Sequence, residues 1–220
     1  MRMIFVRHGE PDYEHDCLTD RGLRQAEAAA ERLKDTGIEE IYASPMGRAQ
    51  QTAACTAGKL GLPIHTLDYM HEISWGGPGL PDDGHPWILS ERMICRDNCD
   101  LIACDWRKHP YYATNAVVRY YNLIAGNLDR FLAEQGYTRD GVRYYCAAGQ
   151  EKTIALFSHG GAGGCALAHI LNLPFPYVAA MFPFGYASVI VVDLPVRPGE
   201  YVHPILVRYE EEEPSVRYKW

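Results

Sequence analysis

The sequence has no long hydrophobic run that could cross a membrane. Its longest uncharged stretch near the C-terminus, YVAAMFPFGYASVIVV, is interrupted by Pro183 and Gly185 and is shorter than the span of about 20 residues that a membrane helix requires. We interpret this stretch as a loop followed by a buried strand. The opening residues, MRMIFVRHGE, carry charge too early to form a secretory signal. These features predict no membrane partner and a cytoplasmic location.

Positive charge is also scarce. The chain has 21 Lys and Arg against 28 Asp and Glu, which gives a net charge of −7. Such a balance argues against nucleic acid or an anionic membrane surface as a partner. Any phosphate-bearing ligand would therefore need a local cluster of cationic side chains. At 220 residues the chain is predicted to form a single domain with a substantial core.

Motifs for metals and nucleotides are missing as well. Cys95, Cys99 and Cys104 lie close together, but their spacing matches no zinc pattern, and no convincing acidic metal cluster is present. Neither a Walker A motif nor a Gly-x-Gly-x-x-Gly segment supports a nucleotide-binding domain. The seven cysteines are predicted to be reduced thiols. We expect no metal and no cofactor.

What is present is an alternation of apolar strands and amphipathic helices. Strands are predicted at MIFVR, EIYAS, PIHTL, TIALF, SVIVVDL and ILVRY. The first helix is predicted to begin after Thr19, end at Gly37 and bury a stripe that contains Leu23, Ala26, Ala30 and Leu33. The second is predicted to open with Ser44 as N-cap and Pro45 at its first position, and to end at Gly61. This alternation is typical of a three-layer α/β sandwich with a mainly parallel central sheet.

One segment breaks the pattern. From about residue 75 to 112 the chain is rich in Gly, Pro, Asp and Trp, with one possible helix near Trp87–Arg96. We predict that it forms a cap inserted into the single domain 1–220. A long helix follows, with Val117, Tyr121, Ile124, Leu128 and Phe131 at helical spacing.

Three positions point to an anion site. Arg7-His8 and His159 each follow an apolar strand, and each histidine is followed by a glycine. Ligands of open parallel sheets bind outside the carboxyl ends of the strands, and glycine lets a backbone approach them. Arg48 stands in the first turn of a helix, where the macrodipole disfavours a cation, which indicates an anion nearby. A single histidine at a strand end is more often structural, so the joint placement carries the prediction.

Five segments that contain these residues resemble the signature blocks of a known family. They are FVRHGE, LTDRGLRQA, YASPMGRAQQTA, HEISWG and LFSHGG, and they occur in the order found in the histidine phosphatase (phosphoglycerate mutase-like) superfamily. The resemblance spans most of the chain outside residues 76–110. It implies the phosphoglycerate mutase-like fold and phosphoryl transfer through a phosphohistidine intermediate.

The resemblance also implies a role for each residue. His8 would be the nucleophile, Arg7, Arg48 and His159 would hold the phosphoryl oxygens, and Glu72 would be the proton donor. Charge-assisted hydrogen bonds from guanidinium groups suit phosphoryl transfer, which depends mainly on positioning and charge stabilisation. The turn at Gly160 and the helix that it opens would offer backbone N–H groups to the same anion.

The proton donor has competitors nearby in the sequence. Glu72 follows PIHTL and a short loop, so it can reach the same end of the sheet as His8. Asp68, Asp82 and Asp83 are alternative acids. To act near neutral pH the donor needs a raised pKa, which burial against Trp75 or the cap would provide.

Departures from the family pattern favour a phosphatase. Many relatives have Ser or Thr three residues after the nucleophile and Asn three further on, whereas this chain has Pro11 and Glu14. The predicted function is a metal-independent phosphomonoesterase that acts on a small phosphorylated metabolite and releases inorganic phosphate. A phosphoglycerate mutase and a catalytically idle phospho-ligand binder are the alternatives. Within the insertion, Trp87, Arg92 and Arg96 are candidate substrate contacts, and the alternative is that they form the packed face and solvated rim of a small cap.

Overall fold

The structure is a computed structural model that describes residues 1–182 and 184–210. The described strands are β1 Arg2–Arg7, β2 Pro11–Asp12, β3 Cys17–Leu18, β4 Glu40–Ala43, β5 Ile64–Thr66, β6 Tyr137–Asp140, β7 Arg143–Cys146, β8 Thr153–Ser158, β9 Val189–Asp193, β10 Glu200–Val202 and β11 Ile205–Glu210. The described α-helices are α1 Asp20–Leu33, α2 Gly47–Leu60, α3 Pro86–Glu91, α4 Ala116–Glu134, α5 Gly160–Ile170 and α6 Phe175–Met181. A π-helical turn, Arg92–Arg96, extends α3.

The central sheet has the order β11-β9-β1-β8-β4-β5. Strands β1, β8, β4 and β5 pair with one another in parallel, whereas β9 pairs antiparallel with both β1 and β11. A separate antiparallel sheet contains β10, β7 and β6, and a tight turn after Asp140 joins β6 to β7. The predicted mainly parallel sheet is therefore confirmed.

Side chains alternate across the sheet into two cores. In β1, Met3 and Phe5 enter a core that includes α4 and α5, whereas Ile4 and Val6 enter a second core with Leu33 of α1 and helix α2. Because successive side chains of a strand point to opposite faces, both faces need a helical cover. The result is the predicted three-layer sandwich.

The ends of the first two helices differ from the predictions. Thr19 caps α1 as predicted, accepting the Gly22 N–H at 3.0 Å, but the helix ends at Leu33, where Thr36 bonds the free carbonyl, rather than at Gly37. Leu23 is 41% exposed, because the buried face of α1 runs through Gly22, Gln25, Ala26, Ala29, Ala30 and Leu33. Gly61 ends α2 in the left-handed conformation as predicted.

Other elements lie where the sequence pattern was weak. Helix α6, Phe175–Met181, occupies part of the stretch predicted to be a loop, and β10 and the short β2–β3 pair were not predicted. The predicted helix in the insertion exists as α3 with its π-helical extension. The predicted buried stripe of α4 is confirmed at all five positions, from Val117 to Phe131.

A backbone contact between two glycines joins the end of β1 to the start of α1. A Cβ atom placed on Gly9 would lie 2.4 Å from the Gly22 carbonyl oxygen, and one on Gly22 would lie 2.0 Å from the Glu10 carbonyl oxygen. Gln25 completes the contact by accepting the Glu10 N–H at 2.8 Å. The glycines of both segments are therefore required by packing, and Gln25 has a structural role at their contact.

We expect Gly22→Ala to reduce the free energy of unfolding by more than about 2 kcal/mol, because backbone atoms cannot yield as a flexible side chain would. Gly58→Ala is the matched control, since this glycine lies inside α2 with nothing within 4 Å of the added Cβ. It should raise stability by about 0.5–1 kcal/mol through helix propensity. Urea unfolding of both variants measures the difference, and similar values would contradict the packing argument.

Candidate active site

The carboxyl ends of three parallel strands bring the predicted residues together. In the β1–β8 register Arg7 lies opposite Ser158, so His8 and His159 leave the sheet side by side, and their ring centroids are 5.1 Å apart. Ser44 follows β4 in the neighbouring position, where its N–H donates to the Phe157 carbonyl at 2.9 Å. The arrangement follows from parallel pairing alone.

His8 is held as a neutral imidazole with one free nitrogen. Its Nδ1 lies 2.7 Å from the Gly9 carbonyl oxygen, which can only accept, so Nδ1 carries the hydrogen. Nε2 then has the lone pair, and Arg48 Nε donates to it at 3.4 Å. The ring is 1% exposed, and burial, helped by the charges of Arg7 and Arg48, lowers the pKa of His8 to about 3.

His159 is the second buried imidazole. Its Nε2 lies 2.7 Å from Ser44 Oγ, which also accepts the Met46 N–H at 3.3 Å. Its Nδ1 is buried and has no hydrogen-bond partner among the described residues. Burial, followed by the neighbouring His8 and Arg48, lowers the pKa of His159 to about 2. Ser44 thus orients a histidine, whereas the sequence predicted it as the N-cap of α2; Met46 holds that position.

Arg48 is fixed by a carboxylate that the sequence did not reveal. Its side chain is buried, and its Nη1 forms an ion pair with Asp16 Oδ1. Asp16 Oδ2 also accepts the Gly47 N–H at 2.7 Å, at the first residue of α2. The negative charge that balances Arg48 at the N-terminus of α2 is therefore provided by a residue of the same chain, Asp16. Asp16 holds the Arg48 guanidinium in place beside His8.

Arg7 is held by the segment that precedes β9. Its Nη1 donates to the Phe184 carbonyl, and its guanidinium carbon lies 4.4 Å from the centre of the Tyr186 ring. Its Nε is buried and unpartnered within the described part of the chain. Gly160 lies against the same guanidinium, since a Cβ there would be 3.5 Å from Arg7 Cζ. A guanidinium with an unpartnered donor is available to an anion.

Glu72 occupies the N-terminus of α5. Its carboxylate accepts the N–H groups of Ile73 at 2.9 Å, Ala162 at 3.0 Å and Gly161 at 3.3 Å. The expectation that this helix terminus offers its N–H groups to the phosphate needs correction, because two of them already bind Glu72. Gly161 permits this approach, since a Cβ there would lie 2.6 Å from Glu72 Oε1. Burial raises the pKa of Glu72, although these three hydrogen bonds oppose the shift.

A cavity of about 940 Å³ adjoins these residues. Its lining residues are Arg7, Tyr13, Glu72, Trp75, His85, Trp87, Ile88, Glu91, Ile94, Cys95, Gly160, Ala179, Ala180, Met181, Phe184 and Tyr186. Trp87 lines this cavity, and its contact with a substrate stays a prediction. Arg92 instead pairs with Asp82 at 2.5 Å, and Arg96 is exposed away from the lining, so this geometry does not support substrate contacts by either arginine.

Four residues of the site were missed by sequence reasoning. Asp16, Tyr186 and Glu91 lie outside the signature segments, and Ser44, which lies inside YASPMGRAQQTA, was predicted only as the N-cap of α2. The spacing of Glu91 from Trp87, one helical turn, could have identified its face had the boundaries of α3 been known.

The described residues carry neither a metal cluster nor a membrane helix. In residues 1–182 and 184–210, no group of three or more His, Cys, Asp or Glu is arranged to hold a metal ion. None of the helices in the same part of the chain is long and apolar enough to span a bilayer.

The two buried histidines should make stability depend on pH. In the unfolded chain each imidazole takes up a proton below its ordinary pKa of 6.5, whereas the native pKa values are about 3 for His8 and about 2 for His159. The unfolded state therefore binds more protons between pH 6.5 and about 3, and the free energy of unfolding falls as the pH decreases through this range.

The variant His159→Asn should lose one titrating group, so its unfolding free energy should depend less steeply on pH. The expected reduction in slope is up to about 1.4 kcal/mol per pH unit. Urea unfolding of wild type and variant between about pH 4 and 6 measures it. If the unfolding free energies of wild type and variant depend equally steeply on pH, His159 binds its proton equally well in the folded and unfolded states, which would contradict the prediction.

Comparisons with known proteins agree with this geometry. A sequence profile of the histidine phosphatase superfamily (branch 1) matches residues 3–79. A probable phosphoglycerate mutase from Yersinia pestis (strain Pestoides F) is 29% identical over 191 residues, which cover 79% of this chain and 76% of the mutase.

Solved structures share the fold at lower identity. A phosphoserine phosphatase from Entamoeba histolytica, in complex with 3-phosphoglyceric acid, matches with a TM-score of 0.64 at 22% identity, over 96% of this chain and 98% of that one. A mycobacterial glucosyl-3-phosphoglycerate phosphatase matches with a TM-score of 0.64 at 22% identity, over 94% and 96% of the two chains. The phosphoglycerate mutase-like fold implied by the signature segments is thereby confirmed, and residues 3–79 are similar in sequence to the histidine phosphatase superfamily.

Proposed function

We propose that this protein is a metal-independent phosphomonoesterase that forms a phosphohistidine intermediate on His8. The observation that carries the proposal is the state of the His8 ring. Its Nδ1 hydrogen is bound to the Gly9 carbonyl, so the lone pair lies on Nε2, on the side of Arg48. With its pKa at about 3, the imidazole is an unprotonated nucleophile across the physiological pH range.

In the first step, His8 Nε2 attacks phosphorus and the ester P–O bond breaks. The charge on the phosphoryl oxygens is stabilised by Arg7 and Arg48, both held in place by protein partners before substrate arrives. When the Ser44 hydroxyl donates to His159 Nε2, the hydrogen of His159 lies on the unpartnered Nδ1 and is available to the same oxygens. Arginine and histidine thus supply the charge stabilisation that other enzymes obtain from metal ions.

Glu72 is the proposed proton donor to the leaving oxygen. An alkoxide leaves poorly, so a proton must reach it as the P–O bond breaks. Glu72 lines the same cavity as Arg7, and burial raises the pKa of its carboxyl, which favours the protonated form. Of the competing acids, Asp82 is paired with Arg92, and neither Asp68 nor Asp83 is among the lining residues.

The second step returns the enzyme to its starting state. Water attacks the phosphorus of phosphohistidine, the P–N bond breaks, and the Glu72 carboxylate accepts the proton from water. Inorganic phosphate leaves, His8 is regenerated as a neutral imidazole, and Glu72 is again protonated. Together, the two phosphoryl transfers consume one phosphate monoester and one water molecule and release one alcohol and one inorganic phosphate. The net reaction is hydrolysis of the ester.

A phosphoglycerate mutase is the second candidate, because the Yersinia pestis relative carries that name. Two features favour hydrolysis. Pro11 stands where many relatives have a hydroxyl group, and it is a buried residue of β2. The fold is also shared with proteins named as phosphatases of phosphoserine and of glucosyl-3-phosphoglycerate.

The location and the insertion complete the proposal. We place the protein in the cytoplasm on the basis of its seven cysteines, all of them free thiols.

Residues from about 75 to 112 act as the cap of the single domain, because Trp75, Trp87 and their neighbours line the cavity that Arg7 and Glu72 also line.

Rapid acid-free quenching during turnover, with EDTA present, should trap phosphate on His8 in an acid-labile, alkali-stable linkage. A phosphoramidate has this stability profile, and His8 is the imidazole whose Nε2 is free. His8→Ala should lose both the label and the hydrolytic activity. Mass spectrometry of peptides from the labelled protein identifies the site.

Each alternative predicts a different outcome. Label on His159 would reverse the assigned roles, and activity lost with EDTA and restored by Mg²⁺ would contradict metal independence. Conversion of 3-phosphoglycerate into 2-phosphoglycerate that carries the label would identify a mutase. Absence of label and turnover on every ester would identify an idle binder.

Glu72→Gln should reduce hydrolysis of alkyl phosphates by about 10²–10⁴-fold while sparing much of the activity on p-nitrophenyl phosphate. The nitrophenolate leaves without protonation, so only the alkyl esters need the acid. Glutamine preserves the shape of the side chain and exchanges one oxygen for an N–H₂ group near the 3.3 Å contact with Gly161. Steady-state kcat/KM on both esters measures the effect.

Asp68→Asn is the matched control, because it removes the neighbouring carboxylate that does not line the cavity. It should leave both esters unaffected. Equal losses on both esters in Glu72→Gln would indicate a structural role at the start of α5, and loss only in Asp68→Asn would transfer the role of acid to Asp68.

A further inference from the structure

The cavity has one wall that the chemistry of His8 does not use. It is formed by α3 and its π-helical extension, and its members recur at helical spacing: Trp87, Ile88, Glu91, Ile94 and Cys95. A substrate whose phosphoryl group lies at Arg7 would place the organic part of its alcohol against this wall. The wall is therefore the part of the cavity that could distinguish one alcohol from another.

Aromatic rings form one part of the wall. Trp75, His85 and Trp87 contact one another, with ring centroids 5.1 Å apart for Trp75 and His85, 5.3 Å for His85 and Trp87, and 5.8 Å for the two tryptophans. Such faces bind apolar or planar groups, and they attract cations through the negative potential of the rings.

Residues that follow in α6 and in the segment before β9 add further apolar lining. Residues Ala179–Met181 at the end of α6 line the cavity, followed by Phe184 and by Tyr186, whose ring lies against Arg7. A volume of about 940 Å³ is sufficient for a substituted phenyl group or a molecule of similar size. The shape and lining favour an organic group larger than glycerate.

Charge in the cavity is unevenly distributed. Of the described lining residues, only Arg7, Glu72 and Glu91 have carboxylate or guanidinium side chains, and the first two belong to the phosphoryl site. Glu91 forms no ion pair with any cation in residues 1–182 and 184–210. The nearby Arg92 is neutralised by Asp82. The wall formed by α3 therefore has one negative charge, on Glu91, that no cation of the described residues pairs with.

His85 does not alter this balance. Burial lowers the pKa of its ring, so it is neutral at pH 7 and adds no positive charge to the wall. A carboxylate or second phosphate on the substrate would thus enter a largely apolar cavity, find no cationic partner there, and face Glu91.

We propose that the cap selects phosphomonoesters of neutral or cationic, predominantly apolar alcohols, and that Glu91 rejects substrates with a second negative charge. This inference rests on the proposed phosphomonoesterase function and specifies its substrate class. Burial of an unpaired anion is costly, and a like charge nearby adds to the cost. A cationic group instead gains from Glu91 and from the aromatic rings.

Three phenyl esters that carry no charge, a negative charge or a positive charge at the 4-position of the ring test the proposal. Phenyl phosphate, 4-carboxyphenyl phosphate and 4-(aminomethyl)phenyl phosphate would be assayed for kcat/KM with wild type, Glu91→Gln and Glu91→Lys. The wild type should prefer the aminomethyl over the carboxy ester. In Glu91→Gln that preference, normalised to phenyl phosphate, should fall by about tenfold, and in Glu91→Lys it should reverse.

Each variant is compared with wild type on the same ester, so differences in the leaving ability of the three phenols cancel. Asp83→Asn is the matched control, because Asp83 is an exposed carboxylate of the same insertion and does not line the cavity. Its left-handed backbone, with φ of 52°, is a conformation that asparagine also adopts. This variant should keep the wild-type preference.

The outcomes separate this inference from the proposed function. Hydrolysis of all three esters with a preference that Glu91→Gln and Glu91→Lys leave unchanged would overturn the role of Glu91. Variants that slow all three esters in the same proportion would show a structural role and also overturn it. Absence of hydrolysis of any ester by wild type would instead contradict the phosphomonoesterase function.

Discussion

The parallel pairing of β1 with β8 is the constraint on which the site depends. Backbone hydrogen bonds set Arg7 opposite Ser158, and the next residue of each strand is then a histidine. The His8 N–H donates to the Ser158 carbonyl at 2.9 Å, so the ladder extends to the nucleophile itself. A register shift of one residue would turn one of these imidazoles to the other face of the sheet.

Keeping two imidazoles neutral beside two guanidinium groups has a structural cost. Burial and the arginine charges together disfavour protonation of His8 and His159, which makes them able to bind an anion but gives up stability at low pH. The compensation comes from outside the histidines. Asp16 pairs with Arg48, and the Phe184 carbonyl accepts from Arg7, so each cation is oriented before a ligand arrives.

Chemistry and selectivity are located in different parts of the chain. The groups proposed for phosphoryl transfer come from strand ends and from the start of α2, which the two hydrophobic cores hold rigidly. The wall proposed to choose the alcohol comes from α3 and its extension, in the insertion. Glu72 connects the two regions, because it binds the N-terminus of α5 and also lines the cavity. The insertion can therefore vary without disturbing the reacting groups.

The sandwich, most of its strands and the residues at the strand ends could be predicted from local sequence patterns. Apolar runs such as TIALF are buried strands in almost any context, and side chains that follow parallel strands must meet at one edge. The buried stripe of α4 was equally readable, because its period matches the helix.

The partners of these residues became visible in the folded chain and could not be predicted from local patterns. Asp16 pairs with Arg48 across 32 positions of the sequence, and Ser44 binds His159 across 115 positions, so local patterns carry no trace of either contact. Leu23 is exposed because its helix is rotated so that Gly22 can meet Gly9. Arg92 is paired with Asp82, and Glu91 faces the cavity, because the boundaries of a short helix fix which side chains point inward. Periodicity depends on backbone geometry and is local, whereas these contacts depend on how distant elements pack together.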